Sequence, residues 1–290
     1  MFIYFFTFFL IFILILTNAV TDASNAIATL VGTKVMDFKK AAWFSAIFNL
    51  LGVVCMSFIN ISVADCISGI VKINGNYNDI KILICSMISV ISFSLLAMKF
   101  GIPTSETHGL IAGLTGSCIA VYGIQGISLA EWENVIIGLF WSIVGTFIIS
   151  FLLNKSFKKF LNKIKDKNIK KIQIIGCMLM SFMHGAQDGQ KFIGILIIFL
   201  SIVKGLLIPK TIDPLENIWI ILLVSILMFI GVCRGGKKIV ENIGSDMVKI
   251  DNKQALLTDI ATAITLLIAS LIRFTCKYNT CKNNIYNRNK

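Results

Sequence analysis

The sequence predicts an all-α polytopic membrane protein, built as an inverted-topology repeat with broken helices and an apparently truncated second repeat. Three observations carry that expectation. The 290 residues are 56% hydrophobic and only 14% charged, with mean hydropathy +0.83, more apolar surface than one soluble core of this size can bury. The Lys and Arg behind the net charge of +12 lie between apolar runs, which is the pattern of cytoplasmic loops; a nucleic-acid binder would gather them on one face. Two polar clusters, around Asp22 and around Asp188, interrupt apolar sequence.

Apolar stretches fall at about 2–17, 41–64, 82–98, 108–124, 134–153, 172–183, 192–208, 217–233 and 256–272, several long enough to cross a bilayer as helices. The short alternating strands of a barrel are absent from the pattern. Met1 to Leu16 is apolar and short, but no Lys or Arg precedes it. It therefore reads as the first half of a spanning element kept in the mature chain, and not as a signal peptide. The 172–183 stretch is short in the same way. Each of the two leads into a polar cluster and then more apolar sequence, which predicts helices broken where irregular backbone lines a cavity or binding site.

Orientation comes from Lys155 to Lys171, which holds eight Lys against one acid, Asp166, and is expected in the cytoplasm. Counting back five crossings puts Lys34, Lys39 and Lys40 inside, Glu131 and Glu133 outside, and the N-terminus outside. Arg234, Lys237 and Lys238 also fall inside if 172–203 is one crossing. The chain then divides into a first inverted repeat (1–154, about five crossings), a cytoplasmic Lys-rich loop (155–171), an incomplete second repeat (172–273) and an aberrant polar tail (274–290). The two broken helices run in opposite directions, and an odd number of crossings per half is what inverted repeats of secondary transporters require. Ala19-Val20-Thr21-Asp22-Ala23 aligns with Gly185-Ala186-Gln187-Asp188-Gly189, and Ile27-Ala28 with Ile193-Gly194.

The eight cysteines include no C-x-x-C pair. Cys55, Cys66, Cys85, Cys118, Cys177 and Cys233 lie in or beside apolar segments and read as small core residues, with neither a disulfide framework nor a zinc site.

Asp22 and Asp188 sit in apolar surroundings, where an ionised carboxylate is costly unless compensated. A bound cation would compensate both; a carboxylate hydrogen-bonded to backbone at a helix break is the plainer alternative. Asn25, Gln187 and Gln190 supply carbonyl oxygens suited to Na+, and a protonated carboxyl would serve H+ coupling equally well. The polar break Gly101 to His108 precedes the apolar run Gly109 to Gly123 and should open a helix. Ser105 and Thr107 are natural N-caps there, and the free N–H groups of a helix start form an anion site, although ordinary capping explains the same residues. The two histidines, His108 and His184, fall one in each constellation; either could bond an oxyanion or shuttle a proton, and Lys191 adds positive charge.

Together these motifs resemble the PiT-type inorganic phosphate transporter family. Thr17 to Lys34 is similar to its Asp-x-x-Asn-Ala signature with the following Thr-Lys. His184-Gly185-Ala186-Gln187-Asp188-Gly189-Gln190-Lys191 is similar to its His-Gly-Ala-Asn-Asp-x-Gln-Lys signature, and Pro103 to His108 to its Pro-x-Ser-x-x-His element. The resemblance implies inorganic phosphate as substrate, coupling to Na+ or H+, an inverted repeat and a homodimer in the plasma membrane. Gln187 replaces the family's usual Asn, and Ala19 and Thr21 are also atypical, which bears on cation preference.

The expected function is therefore an alternating-access phosphate permease, with no organic cofactor and no catalytic residue. Asn25, Ser105, Thr107, His108, His184, Gln190 and Lys191 would bind substrate; Asp22, Gln187 and Asp188 would bind the cation. A sulfate permease of the same fold and an inactive remnant are the alternatives. A channel would need a continuous polar stripe, and an enzyme a nucleophile–base pair or metal cluster, and neither spacing appears. By the repeat, a second Pro-x-Ser-x-x-His element should follow 256–272, but Phe274 onward is polar without periodicity. Codons for Phe274 to Lys282, read one nucleotide later, can spell Leu-Pro-Val-Ser-Thr-Thr-His-Val, so a single-nucleotide insertion is expected to have replaced the true C-terminus.

Overall fold

Apolar side chains that fill a helical period, with few interior breakers, produce a chain that is mostly helical among the described residues. The computed structural model describes all residues except 74, 103, 210, 238–239, 241–250 and 289–290; the side chains of 25, 158 and 271–288 are likewise outside it. Pro103, Lys238 and the Asn25 side chain, named above, therefore lie outside the described residues. The helices are α1 (Phe2–Gly32), α2 (Phe38–Ile59), α3 (Ser62–Gly69), α4 (Tyr77–Phe100), α5 (Glu106–Tyr122), α6 (Leu129–Leu161), α7 (Asp166–Lys204), α8 (Ile218–Arg234) and α9 (Asn252–Arg288). Among the described residues, six helices are long and apolar enough to cross a membrane, and the chain is an integral multi-pass membrane protein.

Helix ends follow local chemistry. Asp79 Oδ2 accepts from Asn76 N at 2.8 Å and starts α4, and Gly101 at φ 69 ends it in the left-handed region that side chains avoid. Ser105 caps α5, its hydroxyl accepting from His108 N, as the sequence predicts.

The predicted breaks in α1 and α7 do not form: both helices run unbroken through their polar clusters. Their polar groups are satisfied along the helix itself. Thr17 Oγ1 donates to Ile13 O at 2.7 Å, Ser24 Oγ to Thr21 O at 2.5 Å and Ser181 Oγ to Cys177 O at 2.8 Å, bonds that leave helical geometry intact. The break falls instead inside the apolar run 41–64, between α2 and α3. There the orphaned backbone groups meet Gln190, whose Nε2 donates to Asn60 O at 2.6 Å and whose Oε1 accepts from Val63 N at 3.2 Å.

Contacts along α1 and α7 show that they cross in opposite directions. Asp22, Ala26 and Thr33 of α1 meet Lys191, Cys177 and Gln173 of α7 in that order. Around this pair the packing repeats: α2 lies on α7 as α8 lies on α1, and α9 lies on α7 as α4 lies on α1. A Cβ on Gly52 of α2 would stand 1.9 Å from Phe182 O, and one on Gly231 of α8 would stand 3.1 Å from Leu16 O. In the alignment of the two polar motifs Leu16 corresponds to Phe182. The same close backbone approach is thus built twice, each time by a glycine, as an inverted repeat requires.

Of the cysteines, Cys66, Cys118 and Cys177 are buried, whereas Cys55 and Cys85 are exposed on the outer surface and not in the core. That surface is largely apolar, with Phe140, Phe147 and Phe151 of α6 more than half exposed, as expected of helices that face lipid.

Candidate functional site

The crossing of α1 and α7 gathers charges that neither helix could bury alone. On α1, Asp22 is 6% exposed, and Asn18 Nδ2 donates to its Oδ2 at 2.8 Å. On α7, Lys191 is 1% exposed and its Nζ stands 3.0 Å from Asp188 Oδ1 and 3.7 Å from Asp22 Oδ2. A lysine this deep is tolerated only with carboxylate partners. The compensating cation that the sequence calls for at the two aspartates is therefore supplied in part by the chain itself.

His184 Nε2 stands 2.9 Å from Asp188 Oδ2 across one helical turn. Both atoms are buried, and each has the other as its neighbour. One ligand atom each from Asp22, His184 and Asp188 lie within 4.8 Å of one another. The carboxylate oxygens suit a hard monovalent cation; the imidazole is better matched to a proton or a hydrogen bond to an oxyanion. With both aspartates ionised and Lys191 charged, one negative charge is left over, enough to hold one cation.

Thr107 joins this cluster from the first turn of α5, its Oγ1 accepting from Lys191 Nζ at 3.3 Å. Its neighbours in the predicted anion site do not. Ser105 and His108 bond each other, Oγ to Nδ1 at 2.5 Å, and turn into an open groove of about 680 Å³ between α4 and α5, lined also by Phe93, Gly113 and Gly116. Gln187 donates to Leu266 O at 3.0 Å and to Ser270 Oγ at 3.2 Å, both on α9. Gln190 closes the α2–α3 break. Asp22, Thr107, His184, Asp188 and Lys191 thus come together, while Ser105, His108, Gln187 and Gln190 are placed elsewhere.

Of the buried acids that sequence reasoning did not single out, two bond to α1. Glu106, 2% exposed, accepts from Thr21 Oγ1 of α1 at 3.3 Å and makes a short bond with Ser94 of α4. Asp259 of α9, fully buried, accepts from Thr29 Oγ1 at 3.0 Å. Beside it Gln173 Nε2 donates to Thr33 Oγ1 at 2.9 Å, so α1, α7 and α9 are tied at one polar layer. Both acids lie beside or inside apolar runs. The test applied to Asp22 and Asp188, an ionisable residue in apolar surroundings, would have found them.

The profile of the phosphate transporter family matches residues 18–169 and 161–276. A probable low-affinity inorganic phosphate transporter of Mycobacterium bovis is 26% identical over 261 residues, covering 88% of this chain and 60% of the relative. One from Bacillus subtilis is 27% identical over 262 residues, covering 88% and 76%. The chain thus spans about three-fifths of the length of the mycobacterial relative. A solved structure described as the sodium-dependent phosphate transporter superposes with TM-score 0.75 at 21% identity, covering 94% of this chain and 85% of that one, which shows a shared fold.

Proposed function

The chain belongs to the phosphate transporter family, and from that premise we propose that it carries inorganic phosphate across the plasma membrane together with Na+. The observation that supports this reading best is the charge cluster at the α1–α7 crossing: two buried carboxylates, one buried lysine and a histidine 2.9 Å from Asp188. Na+ is the cargo cation, held between Asp22 and Asp188. Its arrival neutralises the remaining negative charge and so favours the arrival of an anion beside it. Lys191 Nζ, Thr107 Oγ1 and His184 Nε2 are the donors on the anion side, each able to reach a phosphate oxygen in place of its present partner. Ser105, His108 and the N–H groups that open α5 join only if α5 rotates or tilts toward α7, which gives the carrier a second arrangement.

The sodium dependence named for the superposable structure supports Na+ as the coupling ion. The bare apolar face of α6 accommodates lipid or the second copy of a homodimer.

Radiolabelled phosphate uptake in cells that lack their own phosphate transporters tests the reading, with sulfate as competitor. The chain as it stands is compared with a version whose frame is shifted by one nucleotide after Arg273. Saturable, Na+-stimulated uptake that sulfate leaves alone is the expected result; uptake confined to the shifted version also bears out the insertion. No uptake by either, with both proteins present in the membrane, overturns the reading.

A further inference from the structure

One end of the bundle carries a basic pocket well apart in sequence from the charge cluster at the α1–α7 crossing. The start of α2 and the end of α8 border an open cavity of about 690 Å³, lined by Lys39, Lys40, Arg234, Lys237 and one acid, Asp37. The two helix ends are fixed to each other. Gly235, at φ 50, ends α8, and a Cβ on it would stand 2.8 Å from the Phe38 ring. Lys39, Lys40 and Arg234 are exposed, and among the described residues none of the three stands in an ion pair. A second cavity of about 560 Å³ shares Asp37, Phe38 and Lys40 with the first and adds Lys34. Lysine and arginine gathered in this way match the oxygens of a phosphate group.

The surface beside the pocket says which kind of phosphate fits. One turn beyond Lys39 and Lys40, Trp43 of α2 meets Phe229 of α8 edge to face, with ring centroids 5.5 Å apart, so an aromatic pair closes the seam between the two helices. Trp43 is nevertheless 56% exposed. Further along, Phe44 and Ile47 of α2 and Ile230 and Ile226 of α8 are exposed as well, and they form an apolar strip that leads away from the basic rim. Since α2 is long and apolar enough to cross a membrane, the strip faces hydrocarbon, while the rim at the helix start lies at the level of lipid headgroups, where Trp is at home. A soluble anion would use the rim and leave the strip bare. A phospholipid uses both.

We propose that this pocket binds an anionic phospholipid, with the phosphate between Lys39, Lys40 and Arg234 and an acyl chain along the Trp43–Phe229 pair and the strip beyond it. The surplus of cations over Asp37 selects a lipid of net negative charge over one whose phosphate is balanced by its own choline. Bound there, the lipid bridges α2, from the first half of the chain, and α8, from the second.

The test places purified full-length protein in phosphatidylcholine bilayers that hold rising fractions of phosphatidylglycerol with brominated acyl chains, which quench tryptophan on contact, or of brominated phosphatidylcholine. The Trp43 signal is the difference between each protein and the same protein carrying Trp43→Phe. In wild type it should be half-quenched at a phosphatidylglycerol fraction about fivefold or more below that for phosphatidylcholine, the effect of one or more ionic contacts near the membrane surface. In the triple variant Lys39→Gln, Lys40→Gln, Arg234→Gln the two lipids should quench alike, and quenching by brominated phosphatidylcholine should stay at the wild-type level, which reports a folded, inserted protein. Lys155→Gln, Lys159→Gln, Lys163→Gln removes as many charges at the end of α6 and should keep the preference. Equal quenching by the two lipids in wild type overturns the proposal whatever the variants do. So does a preference that survives in the pocket variant, or one lost equally in both triple variants, which is bulk attraction between charges. Loss of the wild-type preference in excess inorganic phosphate at constant ionic strength assigns the pocket to the free anion and overturns the proposal too.

Discussion

The polar turn of α7 carries its own counter-charges, whereas that of α1 does not. Asp188 has His184 one turn before it and Lys191 one turn after it on the same helix, at 2.9 and 3.0 Å. The aligned Asp22 accepts from the neutral Asn18 on its own helix at 2.8 Å and reaches Lys191 across the interface at 3.7 Å. Lys191 aligns with Asn25, so one substitution between the repeats moved the single buried cation to one side. A symmetric pair would hold both aspartates equally. Here Lys191 sits closer to Asp188, at 3.0 Å, than to Asp22, at 3.7 Å.

Removing Lys191 is the most severe way to break this asymmetry. Lys191→Met leaves two buried carboxylates without their ammonium partner, a loss of about 3–5 kcal/mol. Phosphate uptake should fall to background and the midpoint of thermal unfolding in detergent should drop sharply; near-normal stability would mean that Lys191 is not the anchor.

Next, Asp188→Asn and Asp22→Asn should differ in kind. Asp188→Asn leaves the lysine only its longer contact to Asp22 and should lower stability by about 3 kcal/mol, while Asp22→Asn, which keeps the closer Lys191–Asp188 pair, should lower it by about 1 kcal/mol or less. Asp22→Asn should instead abolish the Na+ stimulation of uptake. Equal losses of stability would refute the division of roles.

The packing repeat offers a gentler comparison. Gly52→Ala forces a methyl group against a backbone carbonyl, and Gly231→Ala meets chiefly the Ala19 side chain at 2.4 Å. Both overpack their interface by about 1–3 kcal/mol, with Gly52→Ala the worse because a carbonyl in a packed helix cannot turn aside; folded yield on size-exclusion chromatography reports it.

The smallest effect is expected from Asn18→Ala, which removes one donor to Asp22 and should cost about 1 kcal/mol. It should also raise the Na+ concentration for half-maximal uptake severalfold, while the equivalent His184→Gln leaves Na+ affinity nearer to wild type.

Much of this was readable from residue order. Composition and run length require a helical membrane protein, because only lipid can absorb so much apolar surface and only helices satisfy their backbone there. The pairing of Asp22 with Asp188 was legible as well, since charge in apolar sequence marks itself. The helix break was misplaced because hydropathy cannot tell a polar turn that bonds to its own helix from one that opens it. Asn60 sits in a run that reads as continuous, and its break is made tolerable by its own side chain, which accepts from Ser62 N, together with Gln190, 130 residues away.

Glu106 shows the same limit from the other side. Its neighbours Ser105 and Thr107 suggested an anion site, and a helix start does present free N–H groups. Which way each of the three side chains faces depends on the rotation of α5 against α1, α4 and α7. Sequence alone determined the membrane class, the repeat and the two aspartates, since these follow from local chemistry and period. Only the tertiary structure decided that Lys191 bridges both aspartates, that Thr107 faces them while Ser105 and His108 face a groove, and that Glu106 is buried among hydroxyls. Those are relations between helices far apart in the chain, fixed by the close glycine-mediated packing of α1, α2, α7 and α8.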